Sequence, residues 1–396
     1  GAVISVMAAL RPPGGPMAPG AFDFRRAAWF QGLGAIGVSR GALAVLAPPP
    51  ESLLALPVSR LRAAVSANLR ERVGGRAGAF AAAIVTGDRS GLPPDAVEAL
   101  RTSGLAHLLA ISGLHMAIAG GLVFAAVRQG LVLIPGLAER ARPKRIAAVV
   151  ALGAALGYLV LSGGSMATQR AFVMAAVALG GVLMDRPAVS LRGLCLAACL
   201  VLLAAPESLL AVGFQMSFAA TLALVTVYAA ARNAGWLQPS RRLRRRILRY
   251  AAALVLTSLV AGLATAPFAA WHFNRVAPYS LLANLAAVPV MGLWVAPALA
   301  LGGLLSLVGW GAPILSLAGA GIAGILAIAE AVAALPGAAR PVAAAPAAVL
   351  AMIALGGLWL CLIRGTVRMA GLGAIGLALL LWPRAGDPQE VALIAA

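Results

Sequence analysis

GLAHLLAISGLHMAIAGG, residues 104–121, sets His107, Ser112 and His115 into a stretch otherwise apolar enough for a lipid bilayer. The chain has 3 histidines, and two of them stand here. The apolar run extends to about residue 127, long enough to cross a membrane as a helix. On one continuous helix His107 and His115, four positions to either side of Ile111, project about 80° apart and roughly 12 Å along the axis. Two side chains so separated cannot share a metal ion. Ser112 and Gly113 between them permit a kink or break, which would turn backbone groups toward a water-filled cavity. Ser and His also join membrane helices by plain hydrogen bonds, and that alternative stays open.

Composition points the same way. Hydrophobic residues are 62% of the 396 and charged residues 11%, against roughly 45–50% apolar in a soluble domain. Apolar runs recur at about 105–127, 146–162, 165–184, 190–205, 207–230, 250–272, 278–306, 311–334, 342–363 and 366–383. The reading is an all-α polytopic membrane protein of about ten transmembrane helices. Arg192 weakens the fourth run, and Pro289 and Pro297 interrupt the seventh.

Residues 1–50 read as a short extracytoplasmic segment of strands and loops, punctuated by PPGGPMAPG and APPP. Within residues 51–103, SRLRAAVSANLRERV and LPPDAVEALRTSG suggest amphipathic surface helices that do not span. The transmembrane part then covers 104–384, and 385–396 reads as a linker toward a further domain. A glycine at position 1 without a basic n-region reads as an internal start rather than a signal peptide.

The net charge of +19 does not by itself imply a nucleic-acid partner, because cytoplasmic loops of polytopic proteins are basic. Taking the segment after Ala231 as cytoplasmic places Lys144, Arg145, Arg186, the 241–249 run and Arg364 inside, leaving Arg275 and Arg340 outside. With an even number of spans both termini are extracytoplasmic. Cys195, Cys199 and Cys361 lack CxxC spacing and read as packing residues.

The polar groups within the apolar runs favour an anionic cargo. Arg170 lies inside the third run, where arginine is costly unless it meets the bundle interior, a partner or water. Its bland reading is an interface arginine that snorkels. GFQMSFAATLAL puts Gln215, Ser217 and Thr221 toward one side of the fifth helix, and Asn284 adds an amide to the seventh. Intramembrane carboxylates are nearly absent; Glu330 falls near a span end. Ion-coupled transport ordinarily uses buried Asp or Glu, whereas an anion path needs cations and hydrogen-bond donors. Arg241, Arg242, Arg244, Arg245 and Arg246 form a cytoplasmic basic loop that can meet phosphates or anionic lipid heads. No ATP-binding GxxxxGK[ST], HExxH, GxSxG or HxHxDH occurs, so no catalytic residue, cofactor or metal site is expected.

GLAHLLAISGLH, with TGDRSGLP before it and Arg170-Ala171, Met174, GFQMSF and NLAAVPV after it, resembles the ComEC family of competence proteins. PGAFDFRRAAWFQGLGAIG is similar to the end of that family's OB-fold-like region; Met216 stands where the family more often has leucine. The resemblance implies a channel of the bacterial plasma (inner) membrane that passes single-stranded DNA inward during natural transformation. It implies as partners extracytoplasmic DNA-receptor proteins, a cytoplasmic DNA motor or single-strand-binding proteins, and the lipid bilayer. The family's metallo-β-lactamase-like nuclease domain has no counterpart in these residues. The path residues expected on this reading are His107, Ser112, Gly113, His115, Arg170, Gln215, Ser217 and Asn284. A transporter or flippase for a phosphorylated small molecule or lipid would share the cationic interior, and a scaffold for an external nuclease is a third possibility.

Overall fold

The computed structural model describes residues 3–16, 23–47, 55–134, 142–236 and 242–383. Arg241 and the expected 385–396 linker lie outside the described residues. The N-terminal part pairs β1 (Val3–Ser5) with β4 (Ala44–Ala47) and β2 (Ala8–Arg11) with β3 (Ile36–Ser39), both antiparallel. A short helix α1 (Phe24–Phe30) lies between β2 and β3, its Asp23 cap accepting from the Arg26 amide at 3.2 Å.

Helices follow: α2 (Ala55–Val73), α3 (Gly75–Thr86) and α4 (Pro94–Thr102). The expectation that 51–103 forms surface helices fails at α3. Only Arg76 in that helix is charged, and Gly78 through Ile84 are buried. A helix apolar all round has no face to offer water, so it becomes core. The windows that looked amphipathic belong to its neighbours α2 and α4.

The first expected span is two helices. α5 (Ala106–Leu109) ends where Ala110 turns extended at ψ 132°, and α6 (Gly113–Leu133) starts after an extended Ser112 at φ −115°, ψ 171°. Then come α7 (Pro143–Leu161), α8 (Met166–Leu183), α9 (Leu191–Ala204) and a 3₁₀ turn at Pro206–Leu210. After them run α10 (Val212–Asn233), α11 (Leu243–Phe273) and α12 (Ser280–Pro289). A π-helical stretch, Val290–Val295, joins α12 to α13 (Ala296–Ser306). Pro289 and Pro297 each lack an amide proton, and the wider π turn lets the helix continue without those bonds. The chain closes with α14 (Ala312–Ala333), α15 (Ala347–Leu362), a 3₁₀ turn at Thr366–Met369 and α16 (Ala370–Leu380).

Among the described residues seven helices are long and apolar enough to cross a membrane: α6, α7, α8, α10, α11, the continuous Ser280–Ser306 and α14. The all-α polytopic architecture is therefore as expected, but three of the ten expected spans are shorter. α9 has 14 residues, α15 has 16 and α16 has 11, below the roughly 20 that cross a hydrocarbon core unaided. Pro206 closes α9, and Pro346 and Gly365 bracket α15.

α14 is the centre of the packing. Leu315, Ala318, Ile322, Ile325 and Ala329 are all 0% exposed, spaced alternately three and four along one face. Against them lie α2, α3, α4, α12, the π segment and α13. Between apolar helices in lipid no hydrophobic gain remains, so close approach through small residues carries the contact. A Cβ at Gly321 would lie 2.7 Å from the Val295 side chain, and one at Gly319 2.8 Å from Val73. A second cluster joins Met116 of α6, Ala155 of α7 and Ala171 of α8. β5 (Arg275–Val276) and β6 (Arg340–Pro341) form a short antiparallel clasp between two loops.

Candidate functional site

The break before α6 gives Ser112 and His115 their geometry. Ser112 caps the helix, its amide donating to His115 Nδ1 at 3.3 Å while its hydroxyl lies 3.1 Å from the same nitrogen. His115 thus fills the place that Glu or Gln takes in a capping box. Because Nδ1 accepts from an amide, the neutral ring carries its proton on Nε2. That nitrogen is buried and has no partner among the described residues. Gly113 is exposed at the first turn of α6.

His107 lies on the separate turn α5, its Nδ1 3.2 Å from the Gly104 carbonyl. The fixed offset expected of a single helix does not apply, since extended residues intervene. Leu105, Leu108 and Leu109 anchor this segment in the core, and a Cβ at Gly104 would press on Ser280 at the start of α12. Beneath it the TGDRSGLP loop is tied by Asp88. That carboxylate accepts from Ser66 Oγ, Arg70 Nη2 and Ser90 Oγ, each at 2.7 Å. The Ser66 bond, more than any other contact, lowers its pKa to about 2; the Ser90 bonds and the Arg70 charge add to it.

Arg170 belongs to the first turns of α8 and is 8% exposed. Its Nη1 donates to the Met166 carbonyl at 3.1 Å, and its buried Nε has no partner. No carboxylate pairs with it among the described residues. The guanidinium rests on Gly213 of α10, where a Cβ would stand 2.7 Å from Nη2. Two residues on, Gln215 donates to the Leu209 carbonyl at 3.2 Å and pairs through Oε1 with His272 Nε2 at 2.8 Å. Met116 and Ala171, the residues after His115 and Arg170, share one buried cluster. The starts of α6, α8 and α10 and the end of α11 thus gather at one end of the bundle.

Ser217 lies one half-turn deeper on α10, its carbonyl accepting from Thr221 Oγ1 at 2.8 Å. Asn284 stands apart on α12, with Oδ1 buried and unpartnered. Ser208 Oγ and Arg70 Nε share that condition. A buried polar group left unpaired costs about 1–3 kcal/mol, and more when charged. Such groups collect where a ligand or water supplies the missing bond. Sequence reasoning passed over Gly213 and Ser208. A glycine and a serine are unremarkable until the fold shows what they touch.

Arg242, Arg244, Arg245 and Arg246 stand at the far end. α11 has 31 residues, which is about 46 Å of helix against a hydrocarbon core of about 30 Å. That length is enough to hold its arginine-rich start and His272 at opposite ends of a membrane span. Cavities of about 480 and 410 Å³ lie elsewhere, lined by none of these residues. No group of three or more His, Cys, Asp or Glu that could hold a metal occurs among the described residues.

A family model described as "Competence protein" matches residues 84–367. The chain is 25% identical over 224 residues to "ComE operon protein 3" of Bacillus subtilis (strain 168), covering 56% of this chain and 26% of that protein. It is 27% identical over 225 residues to "Uncharacterized protein YcaI" of Escherichia coli (strain K12), covering 52% of this chain and 26% of the relative. The aligned region thus spans about a quarter of the length of these relatives. No solved structure matches.

Proposed function

This chain belongs to the competence protein family, and from that premise we propose that it is the membrane path by which single-stranded DNA enters a bacterial cytoplasm during natural transformation. The observation that carries the reading is Arg170, a buried guanidinium with an unpartnered Nε and no carboxylate beside it among the described residues. A charge so placed needs a counter-charge that arrives from outside, and a phosphodiester supplies one.

On this reading the mouth of the path is the end of the bundle where His115, Arg170, Gln215 and His272 gather. The arginine-rich start of α11 faces the cytoplasm, in keeping with the positive-inside rule. His107, Ser112, Gly113, Ser217 and Asn284 complete the lining as the bundle opens to water. Phosphates exchange hydration for donors such as the His115 Nε2–H and the Arg170 fork, contacts weak enough for the strand to move on. Entry against an inside-negative potential costs about 2.3 kcal/mol per charge for each 100 mV. A cytoplasmic motor or strand-capturing protein therefore supplies the pull, taking the strand near Arg242–Arg246, and receptor proteins deliver DNA at the mouth.

The test is uptake of labelled DNA into the cytoplasm of competent cells. Arg170→Ala should lower it about tenfold or more with the amount of inserted protein unchanged, and Arg170→Lys should restore part. Normal uptake by the alanine variant would make Arg170 an interface anchor and remove the support for a polyanion path. Loss of transport of a phosphorylated small molecule, with DNA uptake intact, would favour a transporter instead.

A further inference from the structure

The bundle has a second cationic site, at the opposite end from His115. A cavity of about 480 Å³ lies where α6 ends and α7 begins, lined by Arg128, Val132, Arg142, Lys144, Arg145 and Asp185 with Pro143. Among the described residues four cationic side chains face one carboxylate, and Asp185 is already held by Arg145 Nη2 at 2.6 Å. That bond, with the charges of Arg145, Arg142 and Lys144, lowers the Asp185 pKa, so the carboxylate stays ionised and fixes one wall. Two of the lining residues hold the left-handed backbone that non-glycine residues avoid, Arg142 at φ 44° and Asp185 at φ 56°. Asp185 stands where a helix ordinarily ends on glycine, its neighbour Arg186 donating back to the Gly181 carbonyl at 2.8 Å. A carboxylate at that position serves Arg145 and the cavity rather than the turn.

We propose that this cavity holds the phosphodiester headgroup of an anionic phospholipid. The surroundings decide between a lipid and a passing nucleic acid. Toward the membrane from the cavity α7 presents Ile146, Val149 and Val150 outward, and at the cavity itself the end of α6 exposes Val132, Leu133 and Ile134. A ligand with its phosphate among the arginines meets an apolar surface along the rest of its length. Acyl chains fit that surface, and a charged strand does not. The site is at the rim of the helix pair, away from Arg170 and Gln215, so it stands independently of the DNA path. Bound there, a lipid neutralises cations that would otherwise repel one another and fastens α6 to the α7–α8 pair.

The full-length protein, purified in a neutral detergent, tests this by native mass spectrometry with phosphatidylglycerol against phosphatidylcholine. Phosphatidylglycerol should be retained in preference. Each neutralised cation should weaken it about fivefold, so Arg128→Gln with Lys144→Gln should bind roughly 25-fold less. Arg128→Lys, which keeps the charge, should bind nearly as wild type, separating lost affinity from lost fold. Equal retention of the two lipids overturns the proposal. So does a 20-residue oligothymidylate or inorganic phosphate that occupies the wild-type site while phosphatidylglycerol does not. Undiminished phosphatidylglycerol binding by the double variant places the lipid elsewhere and likewise overturns it.

Discussion

The Arg170 guanidinium lies against the backbone of Gly213, where a Cβ would come 3.2 Å from Cζ and 2.7 Å from Nη2. Glycine here is a matter of space, since a methyl group would occupy part of the volume the fork now fills. Gly213→Ala should push the guanidinium from its seat and lower DNA uptake about tenfold, equivalent to roughly 1.4 kcal/mol on the limiting step. Combined with Arg170→Ala it should cost nothing further, because both changes remove the same placed charge. Multiplying losses in the double variant would show that position 213 acts through something other than Arg170.

Ser112 and His115 allow the helix-capping role to be separated from a role in the path. Glutamine at position 115 can still reach back to the Ser112 amide, as the third residue of a capping box does, but it lacks the ring N–H buried at Nε2. His115→Gln should leave stability in detergent within about 0.5 kcal/mol, while Ser112→Ala should cost about 1 kcal/mol. Uptake should fall in the glutamine variant. Wild-type uptake there would reduce His115 to a cap.

Gln215 and His272, 57 residues apart, hydrogen-bond between α10 and α11 at the mouth end, as Tyr228 and Thr257 do further along. Replacing His272 by leucine takes the partner from Gln215 Oε1 while its amide still donates to Leu209, replacing Gln215 takes the partner from His272 Nε2, and replacing both removes the conflict. A double-mutant cycle on unfolding in detergent should give a coupling of about 1 kcal/mol. Coupling indistinguishable from zero would mean that water serves both groups equally well and that the bond does not organise the mouth.

The sequence made the class of fold readable because a bilayer leaves no alternative to long apolar helices. Helix lengths were less readable, as α9 and α15 show: alanine- and leucine-rich runs look alike whether a helix crosses or stops short. The break before α6 was half visible. Ser112 before Gly113 suggested it, but the pattern for a capping box names Glu or Gln where this chain has His115. α3 was hidden between charged neighbours, so its window average resembled a surface helix while its own residues are core. Arg170 was conspicuous because a charge in an apolar run is costly. Gly213 was not, since what it does depends on helices brought together only by folding.

Asp88 carries the last prediction, which concerns stability and pH. Its carboxyl titrates at about 2 rather than 3.8, lowered first by the Ser66 hydroxyl, then by Ser90 and the charge of Arg70. A depressed carboxylate stabilises the fold fully above its unfolded value, and the contribution disappears as pH falls through the folded one. Asp88 is 30% exposed, so the shift is discounted to on the order of 1–2 kcal/mol. Asp88→Asn should therefore be less stable than wild type by that amount at pH 7. The gap should hold down to about pH 4 and close between pH 4 and 2, as read from Tm in detergent. Because Arg89, in the same loop, reaches the Leu109 carbonyl at 3.5 Å, the loss should loosen the 104–112 segment and raise amide exchange at Ala110 and Ile111. A gap that persists unchanged to pH 2 would show that the Asp88 bonds are not linked to its ionisation, and that the loop owes its shape to Arg70 and the backbone alone.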